Sequence, residues 1–294
     1  MALFMLILLP SMTGYMAWEA RAVEVTVLSI DGAPEGVVYI TDPHVRVSNI
    51  DHVREVIREV NRLEPSLVLI GGDFVTGEEE DFASQEVWSS LDAPAYAVLG
   101  NHDYRVGVDG PTGIERLLAA RASAVVTADA YDVSALNDGS VDTAFADDLT
   151  AALEENGVHV LRNDYVRVPV GDEEIVVVGV DDGWAGMADP PDVPATNTFT
   201  VYLIHEPSCR ADWDADLILA GHTHGGQFLF PVVKQLNDFG VVELAGMFDA
   251  DGRTPTYISR GICSASVAGV DLRFNCRPEI VLINPTEEQL RAIA

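Results

Sequence analysis

Five short apolar runs in this chain are each followed at once by residues of metal-ligand type. Val37-Val38-Tyr39-Ile40 leads to Asp42-Pro43-His44, Leu67-Val68-Leu69-Ile70 to Gly71-Gly72-Asp73, and Tyr96-Ala97-Val98-Leu99 to Gly100-Asn101-His102-Asp103. Val201-Tyr202-Leu203-Ile204 leads to His205, and Leu217-Ile218-Leu219-Ala220 to Gly221-His222-Thr223-His224-Gly225-Gly226. Apolar runs this short, without alternation, are what buried strands present. Between the first two, Ile50, Val53, Ile57, Val60 and Leu63 keep a helical period and Pro65 closes the segment, which predicts a strand-helix-strand crossover. Further helices are expected over 82–91, 114–122 and 149–156, and strands over 158–161, 165–170 and 175–180. The alternation predicts an α/β architecture. Ligands in open α/β sheets lie in the crevice beyond the strand ends, which is where the five polar clusters fall.

Composition changes the picture in three ways. With 48% apolar residues in 294, the chain can bury a sizeable core, and 19–294 reads as one domain with a Gly/Asp/Ser/Ala-rich surface insertion near 131–148. The formal net charge is −30, and Lys234 is the only lysine. That balance excludes a basic stripe for nucleic acid. It resembles adaptation to high salt, where counter-ions screen dense carboxylate, the other reading being an acidic enzyme of ordinary salt. Cys209, Cys263 and Cys276, odd in number and far apart, read as buried free thiols.

The third change is at the N-terminus, where Ala2 to Trp18 carries no charge and ends in Tyr15 and Trp18. The segment 1–18 is expected to be a membrane anchor, although Pro10 and Gly14 interrupt it and it is near the minimum length for a span. A signal peptide fits less well, since no basic residues precede the run. A buried N-terminal helix and an incomplete anchor left by a late start codon are the other readings. Membrane association of unread orientation, otherwise a cytoplasmic location, is the expectation, and the sequence sets no oligomeric state.

Two imidazoles two residues apart on an extended segment point the same way, and flanking glycines let the backbone come close. The full order, Asp-x-His, Gly-Asp, Gly-Asn-His-Asp, His and Gly-His-x-His, resembles the calcineurin-like metallophosphoesterase family from about Asp42 to His224. Arg273 to Ile280, Ile258 to Ile262 and Gly225-Gly226-Gln227 look like its membrane-associated phosphodiesterase branch. The resemblance implies a four-layer sandwich with two mixed β-sheets flanked by helices. It implies two divalent ions, manganese first and iron or zinc as alternatives. Asp42, His44, Asp73 and His224 would hold one ion and Asp73, Asn101, His205 and His222 the other.

By the same resemblance a metal-bridging hydroxide would attack a phosphodiester or pyrophosphate bond in a small or amphiphilic phosphate ester, lipid-linked or nucleotide-linked. His102 would stabilise the phosphoryl group or protonate the leaving oxygen, with Asp103 as the partner that orients it. A nuclease of the same fold and a non-enzymatic metal-binding interaction module are the competing readings. Thr76 stands where purple acid phosphatases carry a tyrosine ligand, and Asp103 where Ser/Thr protein phosphatases carry glutamate, so both branches drop. His52 reads as an exposed helix residue and His159 as a strand residue without a partner motif. Arg46 reads as solvated or phosphate-facing, and Trp184 as a substrate stack or a core cover. Phe228 to Val233 reads as core or as a surface for an acyl chain.

Overall fold

The structure is a computed structural model that describes residues 2–293 except 128, 249–252, 265, 268 and 269; the side chains of 2–9 and 267 also lie outside it. Two six-stranded mixed sheets pack face to face. In spatial order the first holds Glu24–Leu28, Glu279–Ile283, Val37–Ile40, Leu67–Ile70, Ala95–Ala97 and Val158–Val160. The second holds Gly246–Phe248, Thr256–Ile258, Leu217–Ala220, Phe199–Leu203, Glu173–Gly179 and Asp164–Val170.

The apolar runs are buried on both faces, and their residues still alternate. Val37, Tyr39, Leu67 and Leu69 face a core shared with Val177, Val201, Leu203, Leu217 and Leu219 of the other sheet. Val38, Ile40, Val68 and Ile70 pack outward with Val53, Ile57 and Val60 of the helix Ile50–Arg62. That division, one side of each strand to the other sheet and one to helices, makes the layers of the sandwich. Ile40, Ile70 and Ala97 end parallel strands in one sheet, and Leu203 and Ala220 do so in the other. The loops that follow these ends meet at one place.

Several expectations are corrected. Residues 82–91 wind as the 3₁₀ helix Ala83–Ser90. The segment 131–148 does not ride on the surface: Val133, Leu136, Phe145 and Ala146 are buried, and the Tyr131 hydroxyl donates to the Cys209 carbonyl at 2.7 Å. Its apolar residues are isolated among small polar ones, so no period announced them. His52 is buried, and its Nε2 donates to the Ile262 carbonyl at 3.0 Å. Phe228 to Val233 is not core, since Phe230 and Val232 are exposed. All three cysteines are buried and free, as expected.

At the N-terminus the helix Ala2–Glu19 docks by its end onto the domain. The Arg273 N–H donates to the Met16 carbonyl at 3.1 Å, and the Cys276 N–H to the buried Glu19 carboxylate at 2.8 Å. Among the described residues no helix is long and apolar enough to cross a membrane.

Candidate metal centre

Asp42, His44, Asp73, His222 and His224 all have positive φ, between 39° and 69°. Such backbone costs a non-glycine residue about 1–2 kcal/mol, and it persists where the surroundings over-determine it, as at functional sites. Here main-chain bonds fix it: the Asp42 N–H donates to Gly72 at 3.1 Å and the His44 N–H to Asp73 at 2.9 Å. Gly221 is required because a Cβ there would lie 2.7 Å from the Asp42 carboxylate.

All seven sequence-predicted ligand residues come together. His44 Nδ1 lies 2.9 Å from the Val75 carbonyl, His205 Nδ1 2.7 Å from Gly71 and His224 Nδ1 3.0 Å from Cys263. A carbonyl only accepts, so each of these rings carries a proton on Nδ1 and turns its Nε2 inward, as a lone pair wherever the ring is neutral. His44 Nε2 and His224 Nε2 then face each other at 3.2 Å with nothing to donate between them. His205 Nε2 has no hydrogen-bond partner although the Asp73 carboxylate is 3.1 Å away. Asn101 Nδ2 donates to the Val106 carbonyl, which leaves its Oδ1 3.0 Å from His222 Nδ1. Among the described residues three groups have ligand atoms within 4.8 Å of one another: Asp42, His44 and His224; Asp73, His205 and His222; and His44, Asp73 and His102, which brings His102 to the same cluster. His222 Nδ1 and Asn101 Oδ1 can share a neutral hydrogen bond, but the facing Nε2 lone pairs of His44 and His224, buried beside two carboxylates, cannot, and they fit a divalent cation.

The electrostatics agree. Burial drives His44 and His222 down to about 3 and His224 well below its ordinary value, so these rings stay neutral and able to ligate. His205 differs: burial opposes its charge, but Asp73 and Asp42 beside it prevail and raise it, which favours a second proton on Nε2 toward Asp73 at the position a cation would otherwise take. Asp42 is pushed up to about 6, chiefly by burial. The acids here call for positive charge.

His102 is half-buried, and its Nδ1 donates to the Thr76 carbonyl at 2.7 Å. With His44, Arg46, Thr76 and Ser264 it lines a cavity of about 470 Å³. Asp103 is not its partner, contrary to expectation. The fully buried Asp103 carboxylate accepts from the N–H groups of Asp73 at 2.9 Å, Gly100 at 2.8 Å and Val75 at 3.2 Å, bracing the loop that carries Asp73. Arg46 pairs with Asp271 at the cavity edge. Trp184 is buried with its ring edge on His222, centroids 4.3 Å apart, and so covers the site rather than opening to a substrate.

Two features carried no signal strong enough to read. Asp182 and Glu206 are buried together behind this cluster, and burial with the neighbouring Glu206 holds the Asp182 carboxyl well above its usual range. Arg273, fully buried, donates to the carbonyls of Arg260 at 2.7 Å, Cys276 at 3.3 Å, His224 at 3.4 Å and Cys263. Cys263 is also the acceptor for His224. Arg273→Leu would leave several buried carbonyls short of donors at about 1–3 kcal/mol each, a destabilisation of about 3 kcal/mol or more. Thermal unfolding should show a lowered Tm, only partly restored by Arg273→Lys, which lacks the planar fork; an unchanged Tm would contradict this role.

The class follows from this fold and site. The chain belongs to the calcineurin-like phosphoesterase family, whose profile matches residues 36–226, and is a metal-dependent phosphoester hydrolase. Its relatives include phosphodiesterase YaeI of Escherichia coli K12, 29% identical over 265 residues that cover 86% of this chain and 83% of YaeI. The UDP-2,3-diacylglucosamine pyrophosphatase LpxG of Chlamydia trachomatis is 26% identical over 279 residues, covering 84% of this chain and 82% of LpxG. The uncharacterized metallophosphoesterase YkuE of Bacillus subtilis is 27% identical over 264 residues, covering 84% and 77% respectively.

Proposed function

We propose that this protein hydrolyses a phosphodiester or pyrophosphate bond in a small or amphiphilic phosphate ester at a dinuclear centre. The carrying observation is the pair of inward lone pairs on His44 and His224, 3.2 Å apart beside Asp42 and Asp73. Asp42, His44, Asp73 and His224 would hold one ion, and Asp73, Asn101, His205 and His222 the other. Manganese is the first choice, and iron or zinc would also suit the mixed oxygen and imidazole donors. Two such ions would supply Lewis acidity and hydroxide near neutral pH. Asp73 would share its charge between the two positions. His102, whose Nδ1–H is fixed by the Thr76 carbonyl, turns its Nε2 to the cavity, and as an imidazolium with a second proton there it would steady a phosphoryl oxygen or protonate the leaving oxygen. Asp103 acts at one remove by holding the Asp73 loop.

The relative LpxG, a pyrophosphatase of a diacylated nucleotide sugar by its name, supports an amphiphilic substrate; membrane association belongs to the same proposal and rests on the charge-free run Ala2 to Trp18. A nuclease is disfavoured by the charge of −30. A screen with manganese over phosphomonoesters, aryl diesters and nucleotide-linked lipids tests the reading. Hydrolysis of a diester or pyrophosphate, lost on chelation, is expected; a metal-loaded protein that turns over none of them would be a binding module instead.

The surface adds an expectation about conditions. With 47 acidic against 17 basic residues, like charges repel until salt screens them, and the Debye length falls from about 10 Å at 0.1 M to about 3 Å at 1 M. The Tm followed by circular dichroism should rise across that range, and a flat or falling Tm would rule out the adaptation.

A further inference from the structure

The helix Pro231–Asp238 has no buried residue, yet Val232, Leu236 and Phe239 recur at i, i+4 and i+7 and stand in solvent, Val232 at 64% and Phe239 at 81% exposure. An apolar stripe at helical spacing normally faces a core. Here it faces outward and is continued by Val241, 67% exposed. At the other end it joins an aromatic row. Phe230 lies 5.4 Å from Phe274 between ring centroids, Phe274 lies 6.4 Å from Tyr15, and Tyr15 lies 5.8 Å from Trp18. Exposed apolar surface this continuous marks an interaction face rather than chance.

Three observations say what covers it. The row runs straight into the charge-free sequence Ala2 to Trp18, whose helix is docked here through Met16 and Glu19. Its polar-tipped aromatics, Tyr15 and Trp18, are the residue types that settle at the boundary between lipid and water. In a chain of net charge −30, two exposed cations stand beside Trp18: the Arg277 guanidinium sits 5.2 Å over its ring and Arg21 is exposed three residues on, while Asp271 in the same hollow is paired with Arg46. A folded protein partner would not need the uncharged N-terminal run, whereas a bilayer accounts for the run, the aromatics and the basic rim together.

We propose that Tyr15, Trp18, Phe230 and the outer stripe of the helix Pro231–Asp238 form a bilayer-docking face, which holds the metal cavity against the membrane surface. The two are close: Ser48 borders both the cavity of His44 and His102 and the hollow beside Trp18, with Ser266 lining the first and its strand neighbour Asp271 the second. The helix begins seven residues after His224. A phosphate ester in the bilayer could reach the metals while its acyl chains stay in lipid. The purpose of the face rests on the amphiphilic-substrate reading, but docking itself is measurable without substrate.

The full chain is floated with vesicles of phosphatidylcholine, alone and mixed with phosphatidylglycerol. Wild type is expected to float with the vesicles. Val232→Ser, Leu236→Ser and Phe239→Ser combined should weaken partition about tenfold or more, since each removes apolar area from the contact. Melting and hydrolysis of a soluble aryl diester should be unchanged in that variant. Ile114→Ser with Leu118→Ser, on the exposed side of another helix, should float as wild type does. Wild type that stays at the bottom of the gradient, or a triple variant that floats like wild type, overturns the proposal. So does a vesicle-free dimer in sedimentation that the triple variant abolishes, which would make the face a contact between copies. Intact flotation without hydrolysis of any ester would count against the function and leave the docking face standing.

Discussion

Asp73→Asn is expected to lower turnover of an aryl phosphodiester by about three orders of magnitude or more and to reduce bound metal below two ions per chain. The substitution keeps size and still offers an oxygen to the His102 N–H, which donates to Asp73 Oδ1 at 2.9 Å. What it removes is charge at the place where both halves of the cluster meet: Oδ2 lies 3.5 Å from His44 Nε2 and 3.1 Å from His205 Nε2. The carboxyl's proton affinity is well below its usual range: burial would raise it, but His205 beside it favours the ionised form more strongly. A neutral amide cannot reproduce that. Full metal content with wild-type turnover in Asp73→Asn would remove the bridging role.

The second large effect is expected at His102. His102→Ala should leave metal content and fold intact and lower kcat by about a hundredfold, with KM little changed, as for a group that acts in the transition state. The ring is held by one bond to the Thr76 carbonyl and borders the cavity, and although it groups with His44 and Asp73 closely enough to ligate, the seven-residue set fills both positions without it, so the metal count of the variant decides between the two roles. Paired metal analysis and steady-state kinetics would check this. A His102→Ala enzyme with unaltered kcat, or one stripped of metal, would assign the residue a different part.

Much of the site was legible because strands put chemistry at their ends. Each four-residue apolar run is a strand or overlaps the end of one, as Tyr96–Leu99 does the strand Ala95–Ala97, and the polar residues that follow lie where parallel strands stop. The partners that tune those residues were not legible. Val75, Gly71 and Cys263 act through backbone carbonyls, which any residue supplies, so no side-chain pattern could announce them. Asp103 stands next to His102 in sequence, which suggested a pair, yet the 3₁₀ turn Asn101–Tyr104 sends its carboxylate to three backbone N–H groups instead. His52 lay on a helix with exposed neighbours, and only the approach of Ile262 from the far end of the chain buries it.

The fold shows the same division. The helix Ile50–Arg62 and the crossover it makes follow from period alone. The pairing of Glu24–Leu28 with Glu279–Ile283 joins the two ends of the chain, and no local pattern encodes a contact so distant. The exposed stripe at Val232, Leu236 and Phe239 has a helical period too, but period does not say which way a face turns. Arg273 lies in a segment whose likeness to relatives was visible, while its grip on four carbonyls depends on full burial.

The most direct test is a manganese titration of the metal-stripped full chain, with bound ion counted by elemental analysis and hydrolysis of an aryl phosphodiester followed in the same samples. Two ions per chain are expected, with turnover that appears as the pair fills, is lost on chelation and returns when manganese is restored. A single ion or none at saturation, or hydrolysis that survives complete chelation, would contradict a dinuclear centre built from Asp42, His44, Asp73, Asn101, His205, His222 and His224.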